Sequence, residues 1–473
     1  MKVHLSPVLL RSSELPPGSL GFLLIGETLH FISSLRQGGP TRFLRERTDK
    51  FGSPTFRTSM FLHPTVVVQG AAANRFLTSA ENKRDLLNSW PSNMLELLGK
   101  NVPVAVHGAK HKTQKQIMSA CLGPGALQKV IGRADRMTRQ HLEATWKDGV
   151  KLSIASTLKT HVFRIVCSLL IGIEEEGLLN RMEVQFRIWI AGLAAMPVDV
   201  PGTTFNKSRR AGDELRRQID EVIEQKRQQM QQNPDGHGYE DLLSQMILAC
   251  DEKGSTLTSE ELRDVTLFLM FAGHDTSATA LMFALKFVEQ NPTCLHRLVQ
   301  EHEAISSKKK PVEALNWMDI TNMKYTWATL QETLRLRPPV LGGMKEAQKD
   351  LNYNGYIIPK GWKVLFTMSS THENDEYFQE ASKFDPSRFE VERVKKQEPP
   401  PFSYVAFGIG PHACKGADFA RMSMSLYIHH LIINKIKWTS LDLHEDYHCF
   451  PMLTFTKGYP IVVSRDKNPS HMN

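Results

Sequence analysis

A chain of 473 residues with 41% hydrophobic and 23% charged residues has a globular composition, which excludes a disordered polypeptide. Its formal net charge of +8 suits an acidic protein partner or an anionic membrane surface, although an ordinary solvated surface also explains it. Nucleic acid is not an expected partner, because the basic residues form no recognition motif. The six scattered cysteines never occur as Cys-x-x-Cys, which indicates a reducing compartment and excludes a disulfide scaffold or a zinc protein.

The amino end predicts a tail followed by one domain. Residues 1–14 include only a short apolar run, and no part of the sequence reaches the about 18 apolar residues of a membrane span. We therefore expect residues 1–14 to be a short tail in which a membrane anchor is absent or truncated. We expect residues 15–473 to form one large domain, because no clear linker divides them.

Helical patterns dominate the rest of the sequence. Alternating residues predict strands over 56–69, and a mostly helical pattern extends from about 110 to 310. Residues 351–370 predict two short strands about a Pro-Lys-Gly turn, and residues 416–432 predict an amphipathic helix. The predicted fold class is mainly α with a smaller β region.

His111 and Lys115 lie one turn apart on a predicted helix in HGAKHKTQKQ. A solvated basic face is the ordinary explanation of such a pattern. The alternative is a cationic clamp for an acidic cofactor.

Residues 258–289 predict a long helix through the core, because they are apolar on nearly every face and begin with capping-box spacing. In the middle of this helix, Gly273 costs about 1 kcal/mol relative to alanine. Thr276 is β-branched, and Asp275 is a carboxylate whose burial is unfavourable without a partner. This turn indicates either a functional groove in which the Thr276 hydroxyl relays a proton, or a kink where Thr276 bonds its own backbone.

Glu332 and Arg335 share one face of a predicted helix that ends at Pro338 and Pro339. An exposed pair of this kind contributes little stability. Apolar neighbours favour partial burial, where the bidentate guanidinium fork matters more. Arg388 is a candidate second partner of the same carboxylate, which would make the three residues a structural brace.

The stretch FGIGPHACKG (407–416) places Cys414 among three glycines and a proline, which predicts a tight loop. An inert buried thiol and an ordinary turn are the alternatives. A thiolate in such a loop, followed by a helix whose amino end favours negative charge, has what an iron ligand needs.

Together these motifs resemble the cytochrome P-450 superfamily of haem-thiolate monooxygenases. The resemblance extends from Leu15 onward and depends on four patterns, in this order and spacing: A-G-x-D-T (272–276), E-x-x-R (332–335), FDPSRF (384–389) and F-x-x-G-x-[basic]-x-C-x-G (407–416). The LPPGSLGFLLIG, G-x-x-H-K-x-x-K and DLLSQM segments are similar to plant microsomal members, in particular to the clan that oxidises steroids and terpenoids.

The resemblance implies a fold with a long central helix over a haem, and a role for each matching residue. Cys414 would be the proximal thiolate ligand, and Phe407 would pack near it. Thr276 with Asp275 would deliver protons to dioxygen. The remaining implied roles are an oxygen groove (Ala272, Gly273), a brace behind the haem (Glu332, Arg335, Arg388) and partners for the haem propionates (His111, Lys115, Lys345, His412).

Two positions depart from the family pattern. His412 stands where the family usually has arginine, and position 345 is lysine. A histidine is only partly charged near neutral pH and lacks the guanidinium fork, which is a reason to expect weaker haem affinity.

The implied function is insertion of one oxygen atom from dioxygen into a small apolar substrate, a terpenoid or a sterol. Electrons would come from NADPH through a flavoprotein reductase, at the cytosolic face of the endoplasmic reticulum membrane. The apolar segment 189–198 is a candidate membrane-facing surface, and a core helix is its alternative. The alternative functions are a haem-thiolate rearrangement enzyme without a reductase and a non-catalytic haem-binding paralogue.

Overall fold

The computed structural model describes residues 14–21, 26–233, 239–248, 257–310, 312–449 and 452–465. Within these ranges the helices are, in chain order, α1 (Thr28–Arg36), α2 (Thr41–Phe51), α3 (Ala71–Asn82), α4 (Ser92–Leu98), α5 (Gly108–Leu122), α6 (Pro124–Thr145), α7 (Ile154–Val166), α8 (Glu176–Leu193), α9 (Thr204–Gln232), α10 (Leu242–Leu248), α11 (Ser259–Gln290), α12 (Pro292–Ser306), α13 (Trp317–Asn322), α14 (Lys324–Leu336), α15 (Ser369–His372), α16 (Val391–Val394) and α17 (Ala417–Ile433).

The strands of the same ranges are β1 (Phe56–Met60), β2 (His63–Val67), β3 (Leu86–Asn88), β4 (Lys151–Ser153), β5 (Gly342–Ala347), β6 (Leu351–Tyr353), β7 (Tyr356–Ile358), β8 (Lys363–Thr367), β9 (Ile436–Ser440), β10 (Tyr447–Cys449), β11 (Leu453–Phe455) and β12 (Pro460–Arg465). A π-helical segment, Cys167–Ile171, continues α7, and short 3₁₀ turns occur at Pro386–Phe389 and Gly410–His412. The predicted class, mainly α with a smaller β region, is confirmed.

The chain divides into two compact units. The first contains the described residues of 1–90, 341–381 and 399–413, and the second those of 91–340, 382–398 and 414–473. The predicted extent of a single domain, 15–473, stays a prediction.

The first unit is built on a five-stranded sheet with the order β1-β2-β8-β5-β3. Its strands pair antiparallel except β2 and β8, which run parallel. Helix α3 covers one part of the sheet, where Ala73 and Leu77 pack with Val66 and Val364 in a buried apolar cluster. The strands predicted over 56–69 are the β1–β2 hairpin.

Residues 351–367 differ from the prediction, because they form three strands instead of two. Strands β6 and β7 pair as a hairpin whose turn residues, Asn354 and Gly355, have φ values of 54° and 81°. Positive φ at both central residues is what Asn-Gly favours in a tight hairpin. The Pro-Lys-Gly turn follows between β7 and β8, as predicted.

The second unit is mostly helical and is organised around α11. This 32-residue helix begins with the predicted capping box, in which Thr258 Oγ1 accepts from the Glu261 N–H and Glu261 Oε2 accepts from the Thr258 N–H. Buried residues occur on every side of α11, which packs against α7, α9 and α14. The long central helix is therefore confirmed.

Helix α17 was predicted as amphipathic, and that part of the prediction is wrong. Its residues from Met424 to Ile432 are all buried, so no polar face meets solvent there. One 18-residue helical stretch of the described chain, Ile154–Ile171, is apolar and long enough to cross a membrane. Most of that stretch is buried inside the protein, as in a core helix.

Candidate active site

The predicted cysteine loop spans the last residues of the first unit and the first residues of the second. Gly408 and Gly410 have φ values of 71° and 73°, a left-handed conformation that favours glycine. Cys414 is exposed, and it lies three residues before the start of α17. The atoms around the thiol nevertheless raise its pKa through desolvation, while a hydrogen bond from Gly416 opposes this effect. Coordination to a metal deprotonates such a thiol.

Helix α11 carries the predicted groove residues in the second unit. The Thr276 hydroxyl donates to the Ala272 carbonyl at 2.5 Å, so the backbone bond proposed as its alternative role is present. Helix α11 nevertheless runs without interruption through this turn. A Cβ at Gly273 would lie 3.4 Å from Val166 Cγ2 and 3.7 Å from Phe419, so the glycine also permits close packing of α11.

Asp275 is buried beside two basic side chains. Its Oδ1 lies 3.1 Å from Lys159 Nζ and 3.4 Å from His274 Nδ1. The Asp275 side chain is 2% exposed, whereas that of Lys159 is 37% exposed. Burial lowers the pKa of His274, which favours its neutral form. Lys159 thus connects a buried carboxylate to solvent. The sequence did not indicate Lys159 as a partner of Asp275, because the two residues are 116 positions apart.

The three predicted brace residues are brought together in the second unit. Arg335 donates to both carboxylate oxygens of Glu332, at 2.7 and 2.8 Å, and Arg388 Nε donates at 3.2 Å. The side chains of Glu332 and Arg335 are fully buried. The backbone N–H of Asp385 also donates to Glu332, at 2.9 Å. The ion pair of Glu332 and Arg335 is therefore buried, and it is not the exposed kind of pair that contributes little stability.

The four predicted propionate partners are divided between the units. His111 and Lys115 lie one turn apart on α5 in the second unit, as predicted. Burial and, to a smaller extent, the charge of Lys115 lower the pKa of Lys415, the residue that follows the cysteine. Lys345 and His412 belong to the first unit, where both contact Glu81, a residue that the sequence did not indicate.

The side chains of each unit fit the chemical needs of haem. The second unit offers a thiol as an iron ligand and basic side chains on α5 for carboxylates. The first unit offers a lysine and a histidine for carboxylates, and Phe407, which is half-buried. Thiolate and cationic donors of these kinds are what an iron porphyrin with two propionates requires.

This fold and these residues define a haem-thiolate protein, and the comparisons agree. The family model described as Cytochrome P450 matches residues 16–443, so the chain belongs to the cytochrome P450 family. It is a monooxygenase that binds haem through a cysteine thiolate and acts with dioxygen, a substrate and a redox partner.

Two plant enzymes are among the similar curated proteins. The chain is 35% identical over 448 residues to a beta-amyrin 28-monooxygenase of Kalopanax septemlobus, covering 94% of this chain and 91% of the relative. It is 36% identical over 421 residues to a taxane 13-alpha-hydroxylase of Taxus cuspidata, with 89% and 86% covered. Among solved structures, the retinoic acid bound cyanobacterial CYP120A1 is similar with a TM-score of 0.84, 30% identity, and 95% and 98% covered.

Proposed function

We propose that this chain inserts one oxygen atom into a terpenoid or sterol-like substrate, with electrons from NADPH delivered by a flavoprotein reductase. The observation that carries the substrate class is the identity of about one third, across most of the chain, to enzymes named for the oxidation of beta-amyrin and taxanes. The haem, when bound, supplies the activation of dioxygen and the insertion of oxygen.

In this proposal Cys414 is the iron ligand and Phe407 packs near its sulfur. The positive φ values of Gly408 and Gly410 support this assignment, because they let the chain turn tightly just before the cysteine. A Cβ added at Gly416, the remaining glycine of the loop, would lie 3.8 Å from the Cys414 sulfur, an ordinary contact distance.

Thr276 and Asp275 are assigned to proton delivery. The Thr276 hydroxyl donates its hydrogen bond to the Ala272 carbonyl. The lone pairs of the hydroxyl oxygen can therefore accept a hydrogen bond from a proton donor. Asp275 forms an ion pair with Lys159, whose side chain is 37% exposed. In this proposal a proton reaches Asp275 from solvent beside Lys159. Ala272 and Gly273 are assigned to an oxygen groove, because neither residue carries a bulky side chain of its own.

Propionate contacts are assigned to His111 and Lys115 in the second unit and to Lys345 and His412 in the first. The brace of Glu332, Arg335 and Arg388 is assigned to stability of the fold, since its donors and acceptors are bonded to one another.

A membrane-associated location on the endoplasmic reticulum, facing the cytosol, is part of the proposal. Within the candidate segment 189–198, Trp189 and Leu193 are buried core residues. Met196 and Val198 are 79% and 45% exposed, and Val200 just beyond them is 55% exposed. These exposed apolar side chains after α8 support contact with a lipid surface. The basic surplus of the chain supports docking of an acidic reductase.

The test is reconstitution of the purified haem protein with a plant reductase, NADPH and a panel of triterpenoids, diterpenoids and sterols. We expect a substrate-induced spin-state change for members of this panel, and a product that carries one additional oxygen atom only when NADPH is present. Conversion of a peroxide without NADPH would instead establish a rearrangement enzyme. Absence of the thiolate band in the carbon monoxide difference spectrum would remove the proposal altogether.

A further inference from the structure

Glu81, near the end of α3, has a buried carboxylate, and one of its oxygens contacts two basic side chains. His412 Nδ1 lies 2.7 Å and Lys345 Nζ lies 2.8 Å from Glu81 Oε1. The side chains of Glu81, Lys345 and His412 are 3%, 6% and 14% exposed. All three belong to the first unit, so the cluster joins α3, β5 and the turn before the cysteine within one compact body.

The backbone is shaped to allow this contact. Gly410 begins the 3₁₀ turn that carries His412, and its φ is 73°. A Cβ at this position would lie 3.2 Å from Glu81 Oε2 and 3.4 Å from Thr78 Cγ2. The glycine therefore serves two needs, the left-handed turn and the close approach of α3 to the loop.

The contact fixes both basic side chains. A histidine has two ring nitrogens, so bonding of Nδ1 to Glu81 sets the ring orientation and leaves Nε2 as the remaining polar atom. Lys345 also donates to Asn88 Oδ1 at 2.8 Å, so its ammonium is held from two sides. Burial alone would raise the pKa of Glu81, but the bonds from His412 and Lys345 lower it, which keeps the carboxylate charged.

We propose that Glu81 is a positioning residue for haem, which orients His412 and Lys345 toward a propionate. This inference rests on the proposed function, in which these two residues are propionate partners. It also explains how a histidine serves at position 412. An arginine there would present several donors in a rigid fork and would depend less on a neighbour for its orientation. An imidazole has only two ring nitrogens, so its orientation depends more on the carboxylate that bonds one of them.

The test is the rate at which the ferric haem protein loses haem to apomyoglobin. We expect Glu81→Gln to lose haem about tenfold faster or more, as is usual when a residue that orients a ligating group is removed. In the double variant Glu81→Gln with His412→Arg, we expect the rate to return most of the way to that of the wild type. A purely structural role of Glu81 would not be rescued by arginine at 412.

Glu346→Gln is the matched control. Glu346 also belongs to the first unit and pairs with a lysine, Lys363, at 2.5 Å, but its side chain is 41% exposed. We expect no change in haem loss for this variant. If Glu81→Gln does not fold, Glu81→Asp keeps the charge but shortens the side chain, and the same rescue by His412→Arg is expected.

Two outcomes would overturn the inference: haem loss from the Glu81 variants at the wild-type rate, or faster loss that arginine at 412 does not reduce. Failure of the proposed function would appear differently, because the wild-type protein itself would then show no thiolate-bound haem.

Discussion

Thr276 and Asp275 are neighbours in α11, yet their side chains have different surroundings. The Thr276 hydroxyl donates to the Ala272 carbonyl of its own helix, whereas the Asp275 carboxylate forms an ion pair with Lys159 on α7. The sequence predicted both residues, and it offered the backbone bond of Thr276 as one of two alternatives, but it did not predict the contact between Asp275 and Lys159. The internal bond of Thr276 is one of two alternatives that a β-branched hydroxyl residue in a helix always offers. The contact between Asp275 and Lys159 joins two helices that are distant in the sequence, and no local sequence pattern predicts such a pairing.

Replacing Thr276 with alanine tests the proton-delivery role. We expect NADPH consumption to continue while product per NADPH falls about tenfold or more, because removal of a positioned proton donor typically costs a factor of this size or larger. The measurement is the ratio of product to NADPH and to hydrogen peroxide.

Thr279→Ala is the control for Thr276→Ala, since Thr279 lies one turn further along α11 and its hydroxyl bonds the Leu453 carbonyl. We expect this control to retain coupling. Equal coupling in the two variants would show that the Thr276 hydroxyl has no part in proton delivery.

At the scale of elements, the brace connects α14 to the 3₁₀ turn Pro386–Phe389. A buried carboxylate with two guanidinium partners and a backbone donor fixes the relative position of these two segments. The spacing of Glu332 and Arg335 predicted their shared face, and Arg388 was a candidate partner of the same carboxylate from the sequence, a role that the family resemblance then also implied. Burial was inferred from neighbouring leucines, and the structure places both side chains of the pair at zero exposure.

Arg335→Lys tests the brace. A lysine cannot make the two parallel bonds to Glu332, so the variant leaves a buried carboxylate poorly paired. We expect a loss of about 3–5 kcal/mol, the usual effect of breaking a buried pair. It is measured as a lower midpoint of urea denaturation and a lower yield of haem-loaded protein.

Arg217→Lys on α9 is the matched control, because Arg217 pairs with Glu214 at the same spacing of three residues but is 56% exposed. We expect little change in the urea midpoint for this variant, because exposed ion pairs contribute little to stability. Similar losses in the two variants would contradict the importance of burial for the brace.

At the scale of the whole molecule, several histidines of the second unit are buried. His141 packs against His161 with ring centroids 4.5 Å apart, and His429 Nδ1 lies 3.1 Å from His302 Nδ1. Burial lowers the pKa of His141 from 6.5 to about 4 and that of His429 from 6.5 to about 3. The folded protein therefore binds fewer protons than the unfolded chain in mildly acidic solution.

These shifts predict a loss of stability on acidification. A histidine whose folded pKa is depressed contributes stability above pH 6.5 that is lost as the pH falls toward the folded pKa. The loss is of order 1 kcal/mol per pH unit for each such histidine. We expect the urea midpoint to fall between pH 7 and pH 5, and His429→Gln to reduce this fall. His296→Gln, at an exposed position, is expected to leave it unchanged; an undiminished pH dependence in His429→Gln would contradict this account.

The fold was largely predictable from local patterns, and most of the deviations have local causes. The capping box and apolar faces identified α11, because they depend on neighbours within one turn. The β6–β7 hairpin at Asn354–Gly355 was not predicted, although Asn-Gly is a strong turn signal. The sequence prediction placed only the nearby Pro-Lys-Gly turn between two strands. Glu81 was not predictable, because its partners His412 and Lys345 lie more than 250 positions away and are close only in the folded chain.

The π-helical segment Cys167–Ile171 has a consequence for changes in chain length. A π-turn closes its hydrogen bonds over one residue more than an α-turn, so α7 carries a surplus residue at its carboxyl end. Deleting one position there would allow the helix to continue in regular form. Such a deletion would remove the wide turn without rotating the residues that follow it, because the wide turn is what accommodates the surplus residue. Ser168, whose hydroxyl donates to Glu174, lies inside this turn, so the contact at risk from a shortening is the one between the end of α7 and the residues before α8.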